Sequence, residues 1–118
     1  MAVSNQSEKQ ILRRGKILLR RNIPRAARCA ADAAILKQLE ALPEFAEASV
    51  IAAYASDGTE PDLMPLLKRA AAEGKIICLP RWRSDSNYEM AVLDGDFKTV
   101  NGKWNMPEPP PDAPRAEE

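Results

Sequence analysis

Apolar residues first recur at helical spacing near the N-terminal end. Ile11, Leu18 and Leu19 share one side of a predicted helix, with Gly15 and Leu12 beside them, and Ser7 stands where an N-cap would. The same stretch carries Lys9, Arg13, Lys16 and Arg20 at i, i+4, i+7 and i+11, which makes one cationic stripe. Asn22-Ile23-Pro24 breaks this helix, and Pro24 suits the first turn of the next. Ala27, Ala31, Ile35, Leu39 and Leu42 then repeat at helical spacing up to Pro43, an alanine-rich face that predicts close packing against a sheet or another helix.

The pattern then changes to strand length. Residues 50–54 are a short apolar run, followed by the turn Ser56-Asp57-Gly58-Thr59. Glu60-Pro61-Asp62 opens a third predicted helix, with Leu63, Leu66, Leu67 and Ala70 on one face and Gly74 as its stop. Residues 75–79 form a second apolar strand ended by Pro80. Strand, helix, strand in this order is a βαβ unit, and it predicts a parallel pair with a right-handed crossover. Tyr88, Met90 and Val92 alternate as a third strand, Asp94-Gly95-Asp96 is a turn, and residues 97–100 suit a short return strand. Five of the ten prolines fall between 107 and 114, so residues 106–118 read as an extended Pro-rich tail behind one partial α/β domain over 1–105.

Composition narrows the chemistry. The chain has 118 residues, with seventeen Lys+Arg balancing seventeen Asp+Glu, so a globally basic nucleic-acid binder is not indicated. The balance is global and not local: eight Lys/Arg and no acid lie between Lys9 and Arg28, and the rest is accordingly acidic. There is no His, which excludes His-based triads and the usual neutral-pH proton shuttle. Two cysteines, Cys29 and Cys78, cannot staple a disulfide scaffold and read as buried thiols of a reducing compartment. The polar first nine residues and the absence of a long apolar run make a cytoplasmic location, with no membrane partner, the expectation. No Gly-rich phosphate-cradling motif occurs.

Ligands of open α/β sheets bind beyond the carboxyl ends of the strands. Here those ends lead into residues 54–60 and 80–83. Glu60, at a predicted helix start, is either an acceptor for ligand N–H donors or a helix-capping acid. Arg81-Trp82-Arg83 suits an anionic planar ligand, or is a solvated loop with a half-buried Trp. Trp104 is a second stacking platform or an anchor for the tail, and the cationic stripe either meets phosphates or is a solvated face.

Taken together, KQILR at 9–13, VIAAYASDGTEPD at 50–62, GKIICLPRWR at 74–83, SNYEMAV at 86–92 and KWNMPEP at 103–109 resemble the 5-formyltetrahydrofolate cyclo-ligase family, in this order and spacing from about residue 8 to residue 110. The resemblance implies a three-layer open-sheet α/β fold and an ATP-dependent ring closure. ATP phosphorylates the formyl oxygen on N5 of the folate, N10 attacks the activated carbon, and phosphate leaves to give 5,10-methenyltetrahydrofolate. Magnesium accompanies the ATP. By position, Lys9 and Arg13 match residues that reach the ATP phosphates, Glu60 the carboxylate that holds the pterin, and Trp82 and Trp104 aromatic walls of the folate pocket; Arg81 is a further substrate-binding match. The chain departs from the family at Pro61 and Leu63, where a Thr is usual near the Glu. The family's Gly-rich basic loop, its Tyr-Tyr-Asp element and its magnesium-binding acids have no counterpart here. The chain is therefore expected to be incomplete relative to the family domain, inactive alone, and prone to self-association through an uncovered sheet edge, where the family is usually monomeric. The alternative is a non-enzymatic module whose basic helix, residues 9–28, docks an acidic partner or nucleic acid; strongly salt-sensitive DNA binding would mark it.

Overall fold

The computed structural model describes residues 5–84 and 87–116, with the side chains of residues 5, 6 and 104 outside that description. Helices α1 (Asn5–Arg21), α2 (Arg25–Glu40) and α3 (Pro43–Glu47) precede β1 (Val50–Ala52), α4 (Met64–Ala72), β2 (Ile76–Ser84) and β3 (Asn87–Leu93). A small β-hairpin of β4 (Val100–Asn101) and β5 (Pro107–Glu108) follows, closed by a 3-10 turn at Lys103–Asn105. The sheet order is β1-β2-β3, with β1 parallel to β2 and β3 antiparallel to it. The predicted mixed α/β fold with two N-terminal helices and a parallel βαβ unit is therefore present.

The core lies on one face of that sheet. Leu67 and Ala70 of α4 are buried against Ile77, Leu79 and Leu93, with Phe45, Ile51 and Leu63 at the margin. Each fully buried Leu or Ile side chain there contributes roughly 1.5–3 kcal/mol on leaving water. Lys75 reaches back from the start of β2 to donate to the Ala46 and Ala48 carbonyls, which ties α3 to the sheet. The opposite face is an open hollow lined by Val50, Ala52, Cys78, Met90 and Pro114.

Several local expectations are corrected. Ser7 lies within α1 and not at its cap. The alanine-rich face of α2 is largely exposed, and its buried residue is Leu36. Cys29 is exposed, while Cys78 is buried, and burial pushes the Cys78 thiol upward. The predicted third strand is present as β3, where Tyr88 and Met90 line the hollow and Ala91 and Leu93 are the buried set. Residues 97–100 do not form the return strand: Phe97 takes a positive φ of 55° in a turn, and pairing begins at Val100.

Pro80 does not end β2, and the reason locates the site. Ile76 donates its N–H to Ser49, and the Cys78 carbonyl accepts from Ala53, so alternate residues of β2 point their backbone toward β1. Pro80 is in the same phase, but β1 has already ended at Ala52, paired with Cys78. The missing N–H therefore has no partner to lose. Beyond this point the edge left open by β1 belongs to the C-terminal segment. Trp82, again in phase, donates its N–H to Glu108 Oε2 at 3.2 Å.

The Pro-rich segment is extended and packed. Pro109 is fully buried and Glu108 nearly so. Val92 donates to the Pro114 carbonyl and Ala116 to the Met90 carbonyl, both at 2.8 Å, so the segment adds a strand-like strap to the free edge of β3.

Candidate functional site

The strand tips hold two adjoining hollows that share Ala55 and Pro107. The first, about 190 Å³, is lined by Tyr54, Pro80, Tyr88, Lys103, Met106 and Glu108. The second, about 400 Å³, is lined by Arg28, Asp32, Ser56, Glu60, Asp62 and Met64. One is walled mainly by rings and apolar chains, the other by charges, which suits a ligand with a flat body and polar edges.

Glu60 sits on the loop between β1 and α4. It is not a helix cap, because α4 begins only at Met64 and its N-cap is Leu63. Its carboxylate accepts the Asp57 N–H at 3.2 Å, and it lines the charged hollow. Ser56 Oγ donates to the Glu60 carbonyl, and Tyr54 donates its hydroxyl to the Pro61 carbonyl at 3.1 Å. Tyr54 is held protonated beyond its ordinary range, first by burial and then by the negative charges of Glu60, Asp32, Asp57 and Asp62.

Trp82 stands behind the ring-lined hollow. Its ring meets Tyr88 edge-on at 5.1 Å, and the Lys103 ammonium lies 4.9 Å from its centroid. Tyr88 and Lys103 form the wall, and Trp82 supports both. The Trp104 side chain lies outside the described residues.

Arg81 is turned into the fold and bonded there. It is 9% exposed, and its guanidinium donates to Glu89 and to the Pro110 and Ala113 carbonyls. Its Nη1 clamps the strap to the sheet while Nε and Nη2 bond Glu89 of β3. Glu89 is held ionised below its usual range, chiefly by the hydrogen bonds from Arg81, with burial opposing and the charges of Arg83 and Arg115 adding.

Lys9 and Arg13 are exposed on α1 and make no hydrogen bond or ion pair among the described residues. Arg20, on the same helix, donates from Nε to Thr59 Oγ1 at 3.0 Å. Arg13 and Lys9 are thus roughly 10 and 16 Å along the helix from that contact, at 1.5 Å per residue. Among the described residues no group of three or more His, Cys, Asp or Glu is placed to hold a metal ion.

Tyr88, Met106 and Glu108 are not legible in the sequence as site residues, and Tyr54 is marked there only as part of the strand-end stretch 54–60. Tyr54 reads as the end of a strand, Tyr88 as an alternating strand residue, and Met106 and Glu108 as tail. Only the strap's return to the strand tips brings them together.

Comparisons with known proteins place this geometry. The model of the 5-formyltetrahydrofolate cyclo-ligase family matches residues 5–118. No curated protein gives a match. Among solved structures, the NMR structure of Aquifex aeolicus 5,10-methenyltetrahydrofolate synthetase superposes with a TM-score of 0.78 at 23% identity, which speaks for the fold. The superposition covers 92% of this chain and 54% of that one, so this chain spans about half the length of that protein.

Proposed function

As this chain belongs to the 5-formyltetrahydrofolate cyclo-ligase family, we propose that its strand-tip hollows take the reduced folate of an ATP-dependent conversion of 5-formyltetrahydrofolate to 5,10-methenyltetrahydrofolate. The observation that carries the reading is Glu60, a half-buried carboxylate lining the charged hollow that adjoins the ring-lined one, with one internal N–H donor at 3.2 Å and acceptor capacity to spare. A reduced pterin presents ring N–H and exocyclic amine donors side by side, and one carboxylate accepts two such bonds in parallel. Tyr54, Tyr88, Met106 and Pro107 then enclose the ring body and exclude water. Protonated Tyr54 keeps the loop closed through its bond to the Pro61 carbonyl.

Lys9 and Arg13 would hold the phosphates of ATP on the outer face of α1. ATP supplies the phosphoryl group that turns the formyl oxygen into a leaving group. The two cations offset part of the charge that phosphoryl transfer develops. The described residues do not fit a magnesium site, so no step here runs through the metal.

Affinity for 5-formyltetrahydrofolate, measured by calorimetry on the wild type and Glu60→Gln, tests the reading. The amide keeps one acceptor but turns a donor toward the pterin. Charge-assisted bonds of about 1.5–3 kcal/mol each predict a loss of tenfold to a hundredfold or more at unchanged melting temperature. Equal affinity in a folded variant would remove Glu60 from the site.

A further inference from the structure

The loop that carries Glu60 is held from two directions. Within it, Asp57 and Glu60 clasp each other: the Asp57 N–H donates to Glu60 Oε1, and the Glu60 N–H donates to Asp57 Oδ1, both at 3.2 Å. The same Asp57 oxygen accepts the Thr59 N–H at 2.8 Å and the Thr59 hydroxyl at 2.7 Å. Gly58, between them, has a φ of +96°, a conformation that disfavours a side chain.

From outside, α1 and α2 send two arginines. Arg20 donates from Nε to Thr59 Oγ1, and its Nη2 lies 3.9 Å from Asp57 Oδ2. Arg28 donates from Nη1 to the Gly58 carbonyl at 2.7 Å and from Nη2 to the Arg20 carbonyl, which joins the two helices to the turn.

We propose that Asp57 and Arg20 are positioning residues that fix the turn so that the Glu60 carboxylate faces the strand-tip hollow. The inference rests on the folate reading of Glu60 above. Its physical basis is that two carboxylates closing one short turn repel each other. Hydrogen-bond donors that saturate Asp57, and a cation beside it, offset that repulsion and leave the Glu60 carboxylate aimed at a ligand. The structure supplies both. Burial pushes the Asp57 carboxyl up, but the bonds from Thr59 and Glu60 and the Arg20 charge outweigh it and hold the group below its ordinary range. The pair also links the helix that bears Lys9 and Arg13 to the loop that bears Glu60, so the two halves of the proposed site share one anchor.

The test combines 5-formyltetrahydrofolate affinity with amide hydrogen exchange at Thr59 and Glu60, in the wild type, Asp57→Ala, Asp57→Asn, Arg20→Ala and the Asp57→Ala/Arg20→Ala double variant. Asp57→Ala is expected to speed exchange at both amides and weaken affinity about tenfold, the scale of one charge-assisted hydrogen bond. Asp57→Asn keeps the acceptor oxygen and should restore most of the exchange protection and part of the affinity. Arg20→Ala should cost affinity severalfold, and its effect should shrink in the Asp57→Ala background. Melting temperatures should stay close to wild type, because the turn is at the surface. Unchanged exchange in Asp57→Ala, or faster exchange with wild-type affinity, overturns the positioning role. Saturable wild-type binding that Asp57→Ala leaves intact overturns it while sparing the folate reading. Absence of any wild-type binding overturns the folate reading, and the positioning role with it.

Discussion

The two sides of the strand-tip site are held by different physics. On the strap side, Pro109 is fully buried, Arg81 meets Glu89 and two strap carbonyls, and Glu108 replaces the missing strand at Trp82. On the helix side, α1 leaves Ile11, Leu12, Leu18 and Leu19 between 57% and 67% exposed and meets the loop through Arg20 at its C-terminal end. The strap is secured by burial together with saturated polar groups, so a single lost partner there leaves an unpaired group in a dry place. α1 is tied by bonds at the rim, which water can replace at small cost.

This contrast sets the expected order of effects. Leu79, fully buried beneath the strap side, should be the most sensitive position. Leu79→Ala is expected to lower unfolding free energy by about 2–5 kcal/mol in urea titration. A loss under 1 kcal/mol would mean that the sheet face is looser than its burial implies.

Arg81→Met comes next. It removes the clamp while keeping the bulk, so the Val92 and Ala116 amides, which bond across the strap, should lose exchange protection while those within α1 do not change. Retained protection at both would show that Pro109 packing alone holds the strap.

A milder form of the same break is acid. Glu89 has its carboxyl lowered in the fold, so on acidification the unfolded chain binds the proton first. The contribution is complete above the ordinary glutamate range and is lost as pH falls through the lower folded value. Stability measured across that window should therefore drop, and Glu89→Gln should flatten the drop.

The smallest effect is expected on α1. Exchanging Leu18 and Leu19 for Gln should change stability by no more than about 0.5 kcal/mol each, as for exposed positions generally. Sedimentation should at the same time report less self-association, because the substitutions dilute an exposed apolar face. A large stability loss would show that this face is covered in solution.

Gly102 marks a close approach within the β4–β5 hairpin. A Cβ there would stand 1.9 Å from the Glu108 carboxyl carbon, so a side chain at this position would displace the carboxylate that accepts the Trp82 N–H. Nothing in the sequence around Gly102 announces this contact, since its partner lies six residues on across a turn that includes Asn105 at a φ of 60°.

What the chain declared by itself was local and periodic. The face of Leu66, Leu67 and Ala70, the two apolar runs around it and the stop at Gly74 suffice for the βαβ unit, because amphipathic spacing and turn chemistry act over a few residues. The order and spacing of the family-like segments likewise marked the fold and singled out Glu60 as a candidate. Tertiary structure decided the rest. It buried Arg81 against Glu89, a pairing set by strand register and not by spacing. It carried β2 through Pro80 because β1 had already ended. It turned a proline-rich stretch without periodicity into a wall of the site, since extended proline segments pack through shape and through carbonyls offered to a distant guanidinium. And it set Arg20 and Arg28 on the Glu60 loop, a meeting of charges more than twenty-five residues apart in the chain that only the folded arrangement of helices brings about.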